Sequence, residues 1–106
     1  MAARRWFGVL LGVAIAVAPL NGVAQTIEEL FERGEAAYRQ GNYSQAEEIW
    51  RTVVERNSEN AIAHIWLGLT FYNQGKLEEA VHAYQQAIDL DPDDAVAYYN
   101  LGLALY

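Results

Sequence analysis

A period of 34 residues runs through this chain: Gly34, Gly68 and Gly102 are evenly spaced, Gly75 answers Gly41, and Ala80 answers Ala46. Self-similarity at a fixed spacing marks a stack of like supersecondary units, each too small to bury its own apolar face and each covered by its neighbours. The clearest unit, residues 61–94, reads AIAHIWLGLTFYNQGKLEEAVHAYQQAIDLDPDD. In it His64, Leu67, Gly68 and Phe71 fall at i, i+3, i+4 and i+7, one face of a helix, and Ala80, Tyr84 and Ala87 mark a second. Between them Asn73-Gln74-Gly75 supplies a turn, with Gly75 suited to a left-handed helix terminus that a Cβ resists. The unit is therefore a helical hairpin. Small Gly68 and Ala80 let its backbones approach, and Leu67, Phe71 and Tyr84 fill the space around them. Asp91-Pro92-Asp93-Asp94 ends one unit and starts the next, since Pro suits a first helical turn and Asp its positive end.

These residues resemble the tetratricopeptide repeat. Leu67-Gly68, Phe71, the Gly75 turn, Ala80, Tyr84, Ala87 and Leu90-Asp91-Pro92 stand where that family's pattern wants them, and His64 replaces a large aromatic. Residues 27–60 form a first unit in which Gly34, Gly41, Ala46 and Trp50 fit, while Arg33, Ala37 and Ser58 depart from the pattern. Residues 95–106 match the first helix of a third unit. The resemblance implies an all-α fold, a right-handed solenoid of antiparallel helical hairpins. Between Ala95 and Tyr106 only Asn100 and Gly102 are not apolar side chains. A terminal capping helix carries a polar outer face, so a further helix beyond Tyr106 is expected.

Residues 1–24 read MAARRWFGVLLGVAIAVAPLNGVA: a positive n-region at Arg4 and Arg5, an apolar h-region over residues 6–18, and Gly22-Val23-Ala24 with small residues at the −3 and −1 positions of a cleavage site. They read as a secretory signal peptide whose removal leaves Gln25 first, in an exported, periplasmic or extracytoplasmic protein. The alternative is a membrane anchor over residues 6–24, although its apolar part is shorter than the roughly 20 residues that a spanning helix needs. The formal charge of −7 understates the acidity of residues 25–106. Without Arg4 and Arg5, five basic side chains face fourteen acidic ones, a net −9. That balance disfavours nucleic acid, which needs clustered Lys and Arg. The absence of Cys excludes a disulfide framework and a thiolate zinc site.

Thr26 and Glu29 form a capping box that starts the first helix, and Ser44 with Glu47 predicts another after the break at Gly41-Asn42. Glu29–Arg33, Glu35–Arg39 and Glu47–Arg51 are i, i+4 pairs in the favoured orientation. Neither metal nor cofactor is expected. The register places His64 on a packed face and His82 on an outer helix, where they are not expected to meet. Asp89, Asp91 and Asp93 mimic the start of a calcium loop, but Asp94 stands where its Gly belongs and Asn100 where its Glu belongs. No nucleophile triad, phosphate loop or dinucleotide fingerprint appears, and an enzyme is not expected.

What remains is surface. The resemblance assigns to a concave groove the second, fifth, ninth and twelfth residues of each unit. These are Glu28, Phe31, Glu35 and Tyr38, then Ile62, Ile65, Leu69 and Tyr72, then Val96, Tyr99, Leu103 and Tyr106. Phe31, Tyr38, Ile62, Ile65, Leu69, Tyr72 and Tyr99 are the candidate binding residues, centred on Ile65, Leu69 and Tyr72. Some family members clamp acidic chaperone tails with Lys, Arg and Asn, whereas Phe31, Glu35, Trp66, Val96 and Asn100 at the matching positions do not suit that task. The expected partner is an apolar or amphipathic protein or peptide segment. The rival readings are a self-association module and the non-catalytic head of a longer enzyme or translocation component.

Overall fold

The computed structural model describes residues 25–106, so the expected signal peptide and its membrane-anchor alternative lie outside the described residues. Five helices follow one another: α1 (Ile27–Arg39), α2 (Tyr43–Arg56), α3 (Ala61–Asn73), α4 (Leu77–Leu90) and α5 (Ala95–Leu105). There is no strand among the described residues. The fold is an all-α solenoid of antiparallel helical hairpins, α1 with α2 and α3 with α4. None of these helices is long and apolar enough to cross a membrane.

Local chemistry sets most helix ends. Thr26 Oγ1 accepts from Glu29 N at 3.0 Å while Glu29 Oε1 accepts from Thr26 N at 3.0 Å, the reciprocal box that satisfies two donors lacking intrahelical partners. Gly41 and Gly75 sit at φ +80 and +79. The amides that follow them, Asn42 N and Lys76 N, return to Ala37 O and Phe71 O at 2.9 Å each, so the first hairpin turn is repeated in the second. Asn60 caps α3 by accepting from Ala63 N, and Asp94 caps α5 by accepting from Val96 N. The box expected at Ser44 and Glu47 does not form. The tight Gly41 turn starts α2 at Tyr43, which puts Ser44 inside the helix, and Glu47 is engaged by Arg51, Lys76 and Gln74. Of the expected ion pairs, Glu35–Arg39 (3.3 Å) and Glu47–Arg51 (2.8 Å) are present. Glu29 is instead committed to its cap, and Arg33 donates to Gln25 Oε1.

Each hairpin closes on a glycine. A Cβ at Gly34 would stand 2.6 Å from Trp50 Cε2, and one at Gly68 would stand 2.7 Å from Tyr84 Cδ1. Trp50 and Tyr84 are fully buried, together with Ala46 and Ala80 on the same helices. Between hairpins an aromatic seam takes over. The Trp50 and Trp66 rings stack with centroids 5.3 Å apart and planes 7° apart. Phe31 meets Trp50 edge-on at 4.9 Å, and Tyr38 meets Trp66 edge-on at 5.3 Å. Pairs of this kind contribute about 0.5–1.5 kcal/mol each beyond the area they bury. At Gly102 a Cβ would meet nothing within 4 Å.

These contacts separate three glycines that look alike in the sequence. Gly68→Ala is expected to destabilise the chain by about 1–3 kcal/mol by overpacking against Tyr84. Gly102→Ala is expected to be neutral or to stabilise by up to ~1 kcal/mol, because an open helix interior gains from Ala. Urea denaturation followed by circular dichroism measures both.

Candidate functional site

The helices differ in what they touch. Each packs on the next in sequence, and the backbones of α1 with α3 and of α3 with α5 also approach each other, whereas those of α2 and α4 stay further apart. A stack whose first helices converge while its second helices splay must curve with α1, α3 and α5 on its inner side. Helix α3 is therefore flanked on both sides, α5 on one only.

That asymmetry decides how the expected binding residues are placed. Ile62, Tyr72 and Tyr99 are exposed, Tyr99 most at 68%. Leu69 is half-buried against the core. Ile65, placed at the centre of the face by its register, is a core residue with 7% exposure and is not available to a ligand, because α3 has a neighbour on either side. Phe31 and Tyr38 are half-buried edges of the aromatic seam. The Tyr38 hydroxyl accepts from Asn73 Nδ2 at 2.9 Å, and the same amide donates to Leu69 O, tying α1 to the end of α3. Burial raises the Tyr38 pKa, the Asn73 hydrogen bond lowers it, and Tyr43 nearby raises it, for a net upward shift. The exposed apolar surface of the inner face thus lies at Ile62 and Tyr72 on α3 and at Val96, Tyr99 and Leu103 on α5. The sequence pattern does not separate Ile65 from Tyr99, which hold the same register position in consecutive units.

A cleft of about 560 Å³ opens where α2 and α4 splay over α3, lined by Arg51, His64, Leu67, Glu78, His82 and neighbouring side chains. His64, on the packed face of α3, and His82, on the outer helix α4, both line this cleft, because the splay leaves α3 visible between the outer helices. His64 Nε2 donates to Ser58 O at 3.0 Å, so this nitrogen carries the proton. Among the described residues no three His, Asp or Glu side chains converge as a metal site.

Beside the cleft, Glu47 accepts from Arg51 Nε at 2.8 Å and from Lys76 Nζ and Gln74 Nε2 at 3.0 Å each. The Arg51 and Lys76 cations also stand 5.3 and 5.9 Å from the centre of the Phe71 ring. Burial pushes the Glu47 carboxyl up, but the hydrogen bonds from Gln74, Lys76 and Arg51 outweigh it and hold the carboxyl at about 2. This one carboxylate ties α2 to the turn after α3.

The sequence profile of the tetratricopeptide repeat matches residues 31–95 and, in a second placement, residues 68–106. The chain belongs to the tetratricopeptide repeat family. No curated protein matches this repeat protein. Among solved structures it is similar to MamA, residues 41 to the end, from Desulfovibrio magneticus RS-1: 26% identity and a TM-score of 0.73, covering 76% of this chain and 45% of that one. It is also similar to SycD, the type III secretion chaperone of Yersinia enterocolitica, in complex with a peptide of the translocator YopD: 19% identity and a TM-score of 0.75, covering 80% and 66%. A third is the second repeat domain of Spaghetti (RPAP3) bound to the HSP90 peptide SRMEEVD, with 26% identity and a TM-score of 0.73, covering 76% and 75%. This repeat protein spans about half of MamA and about two thirds of SycD.

The pH dependence of the fold follows from Glu47. Its carboxyl is depressed in the folded chain, so its contribution is complete above the ordinary carboxylate range and is lost as pH falls from about 4.5 towards about 2. Thermal melts of the parent chain are expected to decline across that window. Glu47→Gln is expected to melt lower at pH 7 and to show a shallower decline on acidification.

Proposed function

We propose that this repeat protein is an exported scaffold that holds an apolar or amphipathic segment of a partner protein along the face made by α1, α3 and α5. The observation that carries the reading is the row of exposed apolar side chains on that face, Ile62 and Tyr72 on α3 and Val96, Tyr99 and Leu103 on α5. Water-exposed apolar rows of this kind are candidate interaction sites, and aromatic anchors within them tend to dominate affinity. Support comes from the Spaghetti domain, a similar structure bound to a peptide. The SycD likeness adds only that the same fold holds a YopD peptide in that protein.

The chemistry of the partner differs from the peptide seen with Spaghetti. SRMEEVD carries three acidic side chains. The face proposed here instead carries the acids Glu28 and Glu35 among its apolar residues, on a body that is acidic throughout. Like charges oppose an acidic tail, and an apolar or basic amphipathic segment suits the face better. The export half of the proposal rests on the n-region, h-region and small-residue site of residues 1–24.

Peptides selected from a random library against the full chain are expected to carry aliphatic and aromatic anchors and few acids. Tyr99→Asp is expected to weaken their binding by about 2 kcal/mol, roughly thirtyfold, with helix content unchanged. Selected peptides that are acidic, or that bind Tyr99→Asp and Ile62→Asp chains as tightly as the parent, would sink the reading. For export, the intact mass of the protein from its source cell is expected to begin at Gln25. Retention of residues 1–24 on protein recovered from the cytosol contradicts that part.

A further inference from the structure

The five basic side chains of residues 25–106 fall into two groups by their partners. Arg39 pairs with Glu35, and Arg51 and Lys76 pair with Glu47. Arg33 and Arg56 pair with no carboxylate among the described residues, although all fourteen acids lie there. Both turn instead to one neutral residue. Arg33 Nη1 donates to Gln25 Oε1 at 2.6 Å, and Arg56 Nη1 donates to Gln25 O from 31 residues away. Bonds from a cation are the stronger kind. Gln25 is thus held between α1 and the last turn of α2 by its two carbonyl oxygens, and neither contact uses its backbone nitrogen.

We infer that Gln25, once it is the first residue, is a modification site that closes to a pyroglutamyl lactam seated on Arg33 and Arg56. The inference rests on the proposed removal of residues 1–24. The step is unimolecular. The lone pair of the freed α-amine attacks the side-chain carbon Cδ, the bond from Cδ to Nε2 breaks, and a proton passes from the α-nitrogen to Nε2, which leaves as ammonia. No water, oxidant or second substrate enters. What the structure adds is a preference for the product. Before closure, cleavage sets an α-ammonium on the residue that two guanidinium groups already hold, and like charges so close disfavour the charged form. The neutral amine that they favour is the nucleophile. Glu29, which could offset the ammonium, is engaged by Thr26 N in the helix cap. After closure the cation is gone, while O and Oε1, the two oxygens that the arginines use, remain acceptors. The lactam also leaves no α-amine at a chain end, where proteolysis concentrates.

The first test is the intact mass of the full chain recovered from its source cell. The expected mass is that of a chain beginning at Gln25 less about 17 Da, one ammonia. A chain that begins at Gln25 with its full mass overturns the inference and leaves the export reading standing. Retention of residues 1–24, or a start at another residue, overturns both. The second test addresses the seat. The recovered chain is compared with the open form, made by freshly cleaving the uncut chain with signal peptidase, in thermal melts at low salt, where charge repulsion is least screened. The closed form is expected to melt at least ~2 °C higher. Replacing both arginines, Arg33→Gln with Arg56→Gln, is expected to erase that difference. Neither arginine makes another hydrogen bond among the described residues, so the fold is expected to survive, which circular dichroism verifies. Equal melting of the two forms, or a difference that persists without the arginines, would overturn the seat.

Discussion

Two glycines carry the architecture, because each lets an aromatic ring lie where a side chain would otherwise stand. Gly34 receives Trp50 and Gly68 receives Tyr84, and in each case a single Cβ would come well inside contact distance of the ring. The approach brings the helices of a hairpin close enough for Ala46 and Ala80 to vanish from solvent beside them. Packing of this density does not deform smoothly when a methyl group is added. The 34-residue spacing of these glycines puts an aromatic ring in the same slot of each hairpin. Burial has a further consequence at Tyr84, whose phenol is pushed well above its ordinary range.

Hairpins joined only by their own glycine contacts would be beads on a string. Two features bind them into one body. The first is the stack of Trp50 on Trp66, edged by Phe31 and Tyr38, which carries aromatic contact from α1 through α2 to α3. The second is Glu47, which gathers an Arg from its own helix and a Lys and a Gln from beyond α3. Arg51 and Lys76 are each about half exposed, so their ion pairs alone are worth little. Their convergence on one largely buried carboxylate, over the Phe71 ring, makes the site matter for orientation.

Curvature turns this packing into a surface. With α2 and α4 splayed, the inner helices share their flanks, and exposure rises from Ile65 and Leu69 on α3 to their counterparts Tyr99 and Leu103 on α5. The exposed row is apolar on an otherwise acidic body. In the scaffold proposed above, that combination would lower attraction for anionic partners over the whole surface and leave burial of apolar area as the main source of affinity.

Much of this was legible in the chain itself. The period, the helix faces, the Gly41 and Gly75 turns and the Thr26–Glu29 cap depend on residues close in sequence, and local physics dictates them. The tetratricopeptide resemblance extended that reading to the all-α solenoid. What the sequence left open concerns residues whose surroundings come from other units. Ile65 and Tyr99 are equivalent in register, yet one is core and the other is surface, because only α3 has a helix on both sides. Ser44 and Glu47 have capping-box spacing, but the tight Gly41 turn and the donors brought from 27 and 29 residues away divert the carboxylate. His64 and His82 reach one cleft through the splay of α2 and α4, a property of the stack and of no single hairpin. Local sequence decides which way a side chain faces on its own helix. Which of those faces is covered is decided by neighbours distant in the chain, and only the tertiary structure supplies them.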